Sequence, residues 1–127
     1  MPVLDTVVLF AAADRRDARH SKAVSYLRSE EAYLASFALL EFDVVLKSRG
    51  LTADRRMELQ ALLMKDYPRL KVHGLTPETL YLAAMIEKDY GLEYFDAGVA
   101  AEALQCDAVV VSTDRSFDRV KGLTRIW

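Results

Sequence analysis

Short apolar runs alternate with longer helical stretches along this chain, and the alternation limits the folds that it can adopt. The run at residues 108–111 contains three successive valines and no polar position. A strand without a polar face is typical of a parallel sheet that is covered on both sides. Strands separated by helices also favour a mostly parallel sheet. We therefore expect an α/β fold with helices on both faces.

The other elements follow from capping residues, chain breakers and periodicity. Three further strands are predicted at residues 3–4, 32–35 and 70–73. The first helix is predicted over residues 7–13, and the second runs from a cap at Asp17 to about Ser29. The third runs from a cap at Ser36 to about Ser48, and the fourth follows a cap at Thr52. The last two are predicted over residues 76–91 and from about Asp96 to about Gln105. A short helical turn is expected after residue 114, and residues 123–127 end the chain.

The 127 residues show no internal repeat, low-complexity segment or linker, so we expect one domain over residues 1–127. The chain is 52% hydrophobic and 28% charged, as in globular proteins. No apolar run approaches the roughly 18 residues that span a bilayer, so no membrane association is expected. The first residues lack a basic segment, which argues against a secretory signal.

Cysteine content and net charge narrow the possible functions. The single cysteine, Cys106, excludes an internal disulfide and is expected to be a small buried apolar residue. No Cys/His spacing suits zinc, and a reducing cytoplasm is the expected compartment. The net charge of −2 argues against nonspecific coating of nucleic acid but is compatible with a nuclease.

Four acidic residues stand where apolar segments end or turn: Asp5, Glu41, Asp96 and Asp114. The helical neighbours of Glu41, at positions 37, 38, 44 and 45, are all apolar, so Glu41 interrupts a core-facing side. Each acid also has a structural alternative. Glu41 could pair with an arginine, Asp96 could cap a helix, and Asp5 and Asp114 could be strand-end turn residues.

Taken together, the four carboxylates point to a cation. At about 5 Å apart, each pair would repel by about 3 kcal/mol at an effective dielectric constant of about 20. A fold that gathers them therefore needs a positive charge to offset that repulsion. Oxygen ligands without nearby histidine or cysteine favour Mg²⁺ or Mn²⁺, which can activate water against a phosphodiester.

Four segments, in order along the chain, resemble the PIN-domain ribonucleases, and in particular the VapC-type toxins of toxin–antitoxin pairs. They are Val-Leu-Asp-Thr at residues 3–6, Ser-Phe-Ala-Leu-Leu-Glu at 36–41, Tyr-Phe-Asp-Ala-Gly-Val-Ala-Ala-Glu-Ala at 94–103, and Val-Val-Ser-Thr-Asp-Arg-Ser-Phe at 110–117. The resemblance covers the whole chain with suitable spacing.

The resemblance implies a three-layer α/β/α sandwich around a parallel five-stranded sheet. It also implies an acidic pocket that holds Mg²⁺ or Mn²⁺ for endonucleolytic cleavage of RNA. The catalytic and metal-binding acids of the family fall on Asp5, Glu41, Asp96 and Asp114. Thr6 and Ser112 match supporting hydroxyl residues, whereas Val7 departs from the polar residue that is frequent in the family. A cognate antitoxin that inserts a basic side chain among the acids, and a homodimer, are implied as well.

Several basic residues could rim such a pocket. Arg115 directly follows Asp114 and is the strongest candidate for a phosphate contact, with a surface ion pair as its alternative. The other candidates are Arg15, Arg16, Lys47, Arg49 and Arg119. Asp118 is expected on a solvated face, and the aromatic residues Tyr26, Tyr33, Phe37 and Tyr81 are expected to pack in the core.

Two other functions fit the same predicted elements. A non-catalytic PIN-like module could bind a protein partner, although a scaffold has no reason to keep four clustered acids. A phosphotransfer or receiver-like domain would need an acid pair or an Asp-x-Asp motif after its first strand, and Asp5-Thr6-Val7 offers neither.

Overall fold

The computed structural model describes residues 1–127 and contains five strands and six α-helices, with two helices between successive strands as far as the fourth strand. The strands are β1 Val3–Leu4, β2 Tyr33–Leu34, β3 Lys71–Val72, β4 Val109–Val111 and β5 Thr124–Ile126. The helices are α1 Thr6–Ala13, α2 His20–Arg28, α3 Ser36–Ser48, α4 Ala53–Asp66, α5 Pro77–Tyr90 and α6 Tyr94–Leu104, and a 3-10 helix spans Arg115–Arg119. No helix is both long enough and apolar enough to cross a membrane.

The sheet has the order β3-β2-β1-β4-β5, and every neighbouring pair is parallel. From β1 the chain adds β2 and β3 on one side and then returns to add β4 and β5 on the other. The direction of strand addition therefore reverses between β1 and β4. In open parallel sheets, ligands bind beyond the carboxyl ends of the strands at this reversal.

The central strands are covered on both faces. Adjacent residues of a strand point to opposite sides of the sheet, and both residues of β1, Val3 and Leu4, are fully buried. The same holds for Val110 and Val111 of β4. The three-layer α/β/α sandwich and the parallel sheet are therefore confirmed. The pattern of residues did not identify β5, because its alternately exposed side chains lie at an open edge of the sheet.

Local capping signals predicted two helix starts correctly. The hydroxyl oxygen of Thr52 accepts a hydrogen bond from the Arg55 N–H at 3.2 Å, and that of Thr76 accepts one from the Thr79 N–H at 3.3 Å. Helix α5 also ends as expected at Gly91, whose φ of 68° is left-handed.

Two other predicted caps were wrong. Asp17 accepts hydrogen bonds from the backbone and the guanidinium of Arg19, and this turn delays the start of α2 to His20. Ser36 is the first residue inside α3, and Ala35 holds the capping position without a side-chain hydrogen bond.

A fully buried carboxylate from α6 caps α3 instead. Glu102 accepts hydrogen bonds from the Ser36 N–H at 2.9 Å, from the Ser36 hydroxyl at 2.6 Å and from the Phe37 N–H at 3.1 Å. The Nδ1 atom of His73, next to β3, lies 3.1 Å from Glu102 Oε1. A carboxylate at a helix N-terminus is stabilised by the free N–H groups there. Glu102 therefore ties α6, α3 and the edge strand together.

The predicted packing of the aromatic residues was correct for Phe37, which is buried, and for the half-buried Tyr26 and Tyr33. It was wrong for Tyr81, which is 71% exposed because it lies on the outer side of α5. Cys106 is only partly buried just beyond α6, and burial raises the pKa of its thiol.

Candidate functional site

The four predicted acids line one cavity of about 390 Å³. Asp5 directly follows β1 and Asp114 follows β4, so both lie at the reversal point of the sheet. Glu41 reaches the cavity from α3 and Asp96 from the first turns of α6. The fold thus brings together side chains that are up to 109 residues apart in sequence, from position 5 to position 114.

Asp5 is the most deeply buried of the four, with 5% of its surface exposed. Its Oδ2 atom accepts a hydrogen bond from the Ser112 hydroxyl at 2.7 Å, whereas its Oδ1 atom is buried without any hydrogen-bond partner. Burial raises the pKa of Asp5, the Ser112 bond and the nearby N–H of Thr6 oppose this rise, and the charge of Asp114 adds to it. A buried carboxylate oxygen without a partner is costly unless a cation meets it.

Glu41 is half-buried and bonds to a hydroxyl group rather than to the arginine considered above. The Thr6 hydroxyl donates to Glu41 Oε1 at 2.5 Å. Burial raises the pKa of Glu41; the Thr6 bond opposes the rise, and the charge of Asp5 contributes to it. Val44, one of its apolar helical neighbours, is 44% exposed, so Glu41 lies at the border of the core rather than within it.

Asp96 does not cap α6, because Glu93 does. One carboxylate oxygen of Glu93 accepts hydrogen bonds from the N–H groups of Phe95 and Asp96, at 3.1 and 3.3 Å. The side chain of Asp96 is thereby left for the cavity. Burial, followed by the charges of Asp5 and the other cavity acids, raises the pKa of Asp96 to about 7.

Asp114 is exposed at the cavity mouth and also caps the 3-10 helix by accepting from the Ser116 N–H at 2.9 Å. Its own N–H donates to the Ser112 hydroxyl oxygen at 3.0 Å. The hydroxyl of Ser112 therefore positions two acids at once: it donates to the carboxylate of Asp5 and accepts from the backbone of Asp114. The family resemblance had implied only that Ser112 is a supporting hydroxyl residue.

Six cavity residues were not among the predicted catalytic and supporting residues. Glu93 is a further acid, missed because it sits one residue before the helix and reads as an ordinary cap. Val7, Phe10, Val45, Arg49 and Thr113 complete the lining. Arg49 had been predicted only as one of several rim residues, and its spacing of eight from Glu41, which places both on one side of α3, is the signal that could have singled it out.

The other basic candidates lie elsewhere. Arg115 is exposed and does not line the cavity. Arg16 pairs with Asp14, Arg119 donates to a backbone carbonyl of Tyr90, and Arg15 lines a different groove. Lys47 is exposed outside the cavity. Asp118 is exposed, as predicted. It pairs with Arg125, and this hydrogen bond lowers the pKa of Asp118.

The donor set fits a hard divalent cation, although no preformed metal-binding group exists. No three His, Cys, Asp or Glu side chains lie in an arrangement that could hold an ion as they stand. Mg²⁺ does not need one, because it keeps several water ligands and takes only one or two carboxylates. The free Oδ1 of Asp5 and the raised pKa values of three neighbouring acids are the features that a cation would relieve.

A second cavity, of about 560 Å³, opens between α1, α2, α3 and α4. Ten of its fourteen lining residues are apolar, and Arg15, Arg28 and Asp66 are its charged members. It contains none of the four acids. We refer to it below as the apolar groove.

Solved structures with the same fold include several complexes. VapBC2 from Rickettsia felis, bound to a DNA fragment from its promoter, superposes with a TM-score of 0.74 at 14% identity over 98% of this chain and 97% of that chain. FitAcB from Neisseria gonorrhoeae gives 0.69 at 20% identity over 100% and 97%. A toxin–antitoxin complex from Klebsiella pneumoniae gives 0.70 at 14% identity over 98% and 96%. No curated protein sequence matches this chain.

The sequence itself matches one domain family. Residues 3–123, nearly the whole chain, match the PIN domain. The match includes all four acids, from β1 to the 3-10 helix. PIN domains are generally nucleases that use divalent metal ions. By its sequence and its fold, the chain belongs to the PIN domain family.

Proposed function

We propose that this protein is a metal-dependent endoribonuclease that hydrolyses RNA phosphodiester bonds with Mg²⁺ or Mn²⁺. The observation that carries the proposal is the buried Oδ1 of Asp5, which has no partner and lies in a cavity with Glu41, Asp96 and Asp114. When bound, the ion would activate a water molecule and stabilise negative charge on the phosphate. In the reaction, the water oxygen joins phosphorus and the bond to the leaving ribose oxygen breaks.

The side chains of the cavity have different proposed roles. Asp5, Asp96 and Asp114 would hold the ion, one or two of them directly and the rest through its water ligands, and Glu41 would hold the ion or position the water. Ser112 holds Asp5 through Oδ2 and leaves Oδ1 free, and Thr6 holds Glu41 in the same way through one oxygen. Since Asp96 has a pKa of about 7, binding of a cation near neutral pH would displace a proton from it. Arg115, beside Asp114, stays our candidate for a contact to phosphate.

We further propose that the nuclease is the toxin of a toxin–antitoxin pair. The fold is shared with proteins solved as toxin–antitoxin complexes, and the apolar groove offers a surface that suits the apolar face of an antitoxin helix. A basic side chain of the antitoxin would enter the acidic cavity. The cytoplasmic location expected from the single cysteine stays a prediction.

A homodimer is proposed on separate grounds. Large apolar side chains are exposed on α3 and α5, at Leu40, Val44, Leu80, Tyr81 and Met85. Such residues are more typical of a surface that is covered by a partner than of a free surface. Light scattering during gel filtration should give twice the chain mass, and Tyr81→Glu should lower it. A monomer at micromolar concentration would contradict this part of the proposal.

The nuclease proposal is tested by RNA cleavage with Mg²⁺ or Mn²⁺, with and without EDTA. We expect cleavage to require the ion and to fall by at least about a hundredfold in Asp5→Asn, because the change removes the negative charge of Asp5 and replaces one of its oxygens by an NH₂ group that cannot bind the ion. Asp118→Asn, which alters an exposed acid outside the cavity, is the matched control and should remain active. Cleavage that persists in EDTA or in Asp5→Asn would overturn the mechanism.

A further inference from the structure

The acidic cavity continues beyond the four acids into a part that differs from them in chemistry. Its lining there comes from Val7 and Phe10 of α1, from Val45 of α3 and from Arg49, which caps the C-terminus of α3. We call these four residues the apolar–basic end of the cavity. Three of them are uncharged and apolar, and the fourth is a cation, so this end cannot serve the metal ion that the acids attract.

The helix geometry sets the length of this extension. Glu41, Val45 and Arg49 follow one another at intervals of four and so lie along one side of α3. Eight residues of helix rise by about 12 Å, which separates the level of Glu41 from that of Arg49. The Arg49 guanidinium lies over the Phe10 ring, one helical turn beyond the Thr6 that bonds Glu41, so the cation stands to one side of the acids rather than among them.

Arg49 is free to bind an anion and is held in place for it. It is exposed and forms no ion pair with any carboxylate of the chain. Its guanidinium carbon lies 5.1 Å from the centroid of the Phe10 ring, a distance at which a cation is attracted to an aromatic face. Phe10 is itself fixed by Phe42, with ring centroids 4.9 Å apart.

We propose that the apolar–basic end is a subsite for a nucleotide of single-stranded RNA that flanks the scissile phosphate. Its phosphate would bind Arg49, and its base would lie against the apolar wall formed by Val7, Phe10 and Val45. Single-stranded RNA is recognised through such combinations of a basic group with an aromatic or apolar surface, since unpaired bases expose their faces. The proposal rests on the proposed ribonuclease function. It specifies where the RNA chain beside the scissile phosphate would run.

The test compares Arg49→Met with Lys47→Met. Both changes remove one positive charge from the last turns of α3, but Lys47 does not line the cavity. For a short single-stranded oligoribonucleotide, Arg49→Met should raise KM by about five- to tenfold and leave kcat within about twofold, the size of one exposed charge-assisted phosphate contact. It should also reduce the slope of log affinity against log salt by about one. Lys47→Met should change neither, and Arg49→Lys should restore part of the affinity.

A neutral substrate linkage locates the contact. In a series of oligoribonucleotides, one flanking phosphate at a time is replaced by an uncharged methylphosphonate. At one position, this replacement should raise KM as much as Arg49→Met does. At that position the two changes should not add, because each removes the same contact.

The outcomes separate this inference from the nuclease proposal. Suppose that the wild-type protein cleaves RNA but Arg49→Met and Lys47→Met have the same effect on KM. The subsite is then wrong and the nuclease proposal stands. The same conclusion follows if the effect of every methylphosphonate linkage adds fully to the effect of Arg49→Met. If wild-type protein does not cleave RNA, the nuclease proposal fails first. If Arg49→Met weakens binding of a protein partner but leaves KM for RNA unchanged, the apolar–basic end serves that partner and the subsite is overturned.

Discussion

At the scale of single residues, Asp96 shows that the site holds a carboxyl group in an environment that disfavours its charged form. Its pKa of about 7 arises first from burial and then from the neighbouring acids. Below about pH 4 the carboxyl is protonated in both the folded and the unfolded chain, so it has no effect on stability. Between about pH 4 and pH 7 the folded chain retains a proton that the unfolded chain has released. Stability therefore falls as the pH rises through this window and stays lower above it.

We predict that Asp96→Asn stabilises the metal-free protein. Each pKa unit corresponds to about 1.4 kcal/mol, and allowance for the solvent that reaches this half-buried group leaves a gain of about 1–2 kcal/mol in unfolding free energy at pH 8. The gain should vanish near pH 4. Denaturant unfolding in EDTA at both pH values measures it. A variant that is less stable than wild type at pH 8 would show that Asp96 is not held in a repulsive environment.

Gly98 is a second residue whose effect can be predicted, this time from space rather than charge. A Cβ atom at this position would lie 2.3 Å from the Phe37 ring, because α3 and α6 pack closely there. On an open helix surface, Gly→Ala stabilises by about 1 kcal/mol. Here the sign should reverse, with a loss of about 1–3 kcal/mol through overpacking. Thermal unfolding of Gly98→Ala measures the sign, and a stabilised variant would contradict the packing described above.

At the scale of elements, the helix starts divide into those that local sequence specifies and those that it does not. Thr52 and Thr76 cap from within their own segments, so their hydroxyl groups and the following acids made them predictable. The start of α3 depends on Glu102, 66 residues away from Ser36. Glu93 likewise takes over the cap that had been considered for Asp96. Contacts that arise only from tertiary packing leave no local pattern to read.

The distant cap should matter more than a local one. Glu102→Ala would leave two backbone N–H groups of α3 and the partly buried Ser36 hydroxyl without the fully buried carboxylate that they bond. We expect a loss of about 3 kcal/mol, compared with about 1 kcal/mol for Thr52→Ala. Ser36→Ala should cost about 1 kcal/mol and should cost less in the Glu102→Ala background. Equal losses for Glu102→Ala and Thr52→Ala would contradict the tertiary cap.

At the scale of the whole molecule, the strand order of the sheet explains why the positions of the four acids in the sequence predicted that they lie together. A parallel order with its reversal at β1 and β4 places the residues after those strands side by side. The succession of strands and helices, together with the family resemblance, therefore predicted both the fold and the grouping of Asp5 with Asp114. The apolar–basic end was not predicted, because it depends on how α1 and α3 lie against each other.

Cation binding should stabilise the entire fold, because a ligand that binds only the folded chain adds to its unfolding free energy. At an ion concentration of 100 times Kd the gain is about 2.7 kcal/mol. We expect Mg²⁺ or Mn²⁺ to raise Tm, and to raise it more at pH 8 than at pH 6, because protons compete for carboxylates with raised pKa values. Asp5→Asn should abolish the shift, whereas Asp118→Asn should retain it. A larger shift at pH 6 would contradict this competition.

The pairing of β1 with β4 also has a consequence during translation. The hydroxyl of Ser112 meets Asp5 across 107 residues of sequence, and Asp114 follows later still. A growing polypeptide that has not yet released residue 114 from the ribosome lacks both the support of Asp5 and the last acid. If the protein is a toxin, no cleavage is expected before residue 114 has left the ribosome. An antitoxin that is already present can therefore be in place before the toxin becomes active.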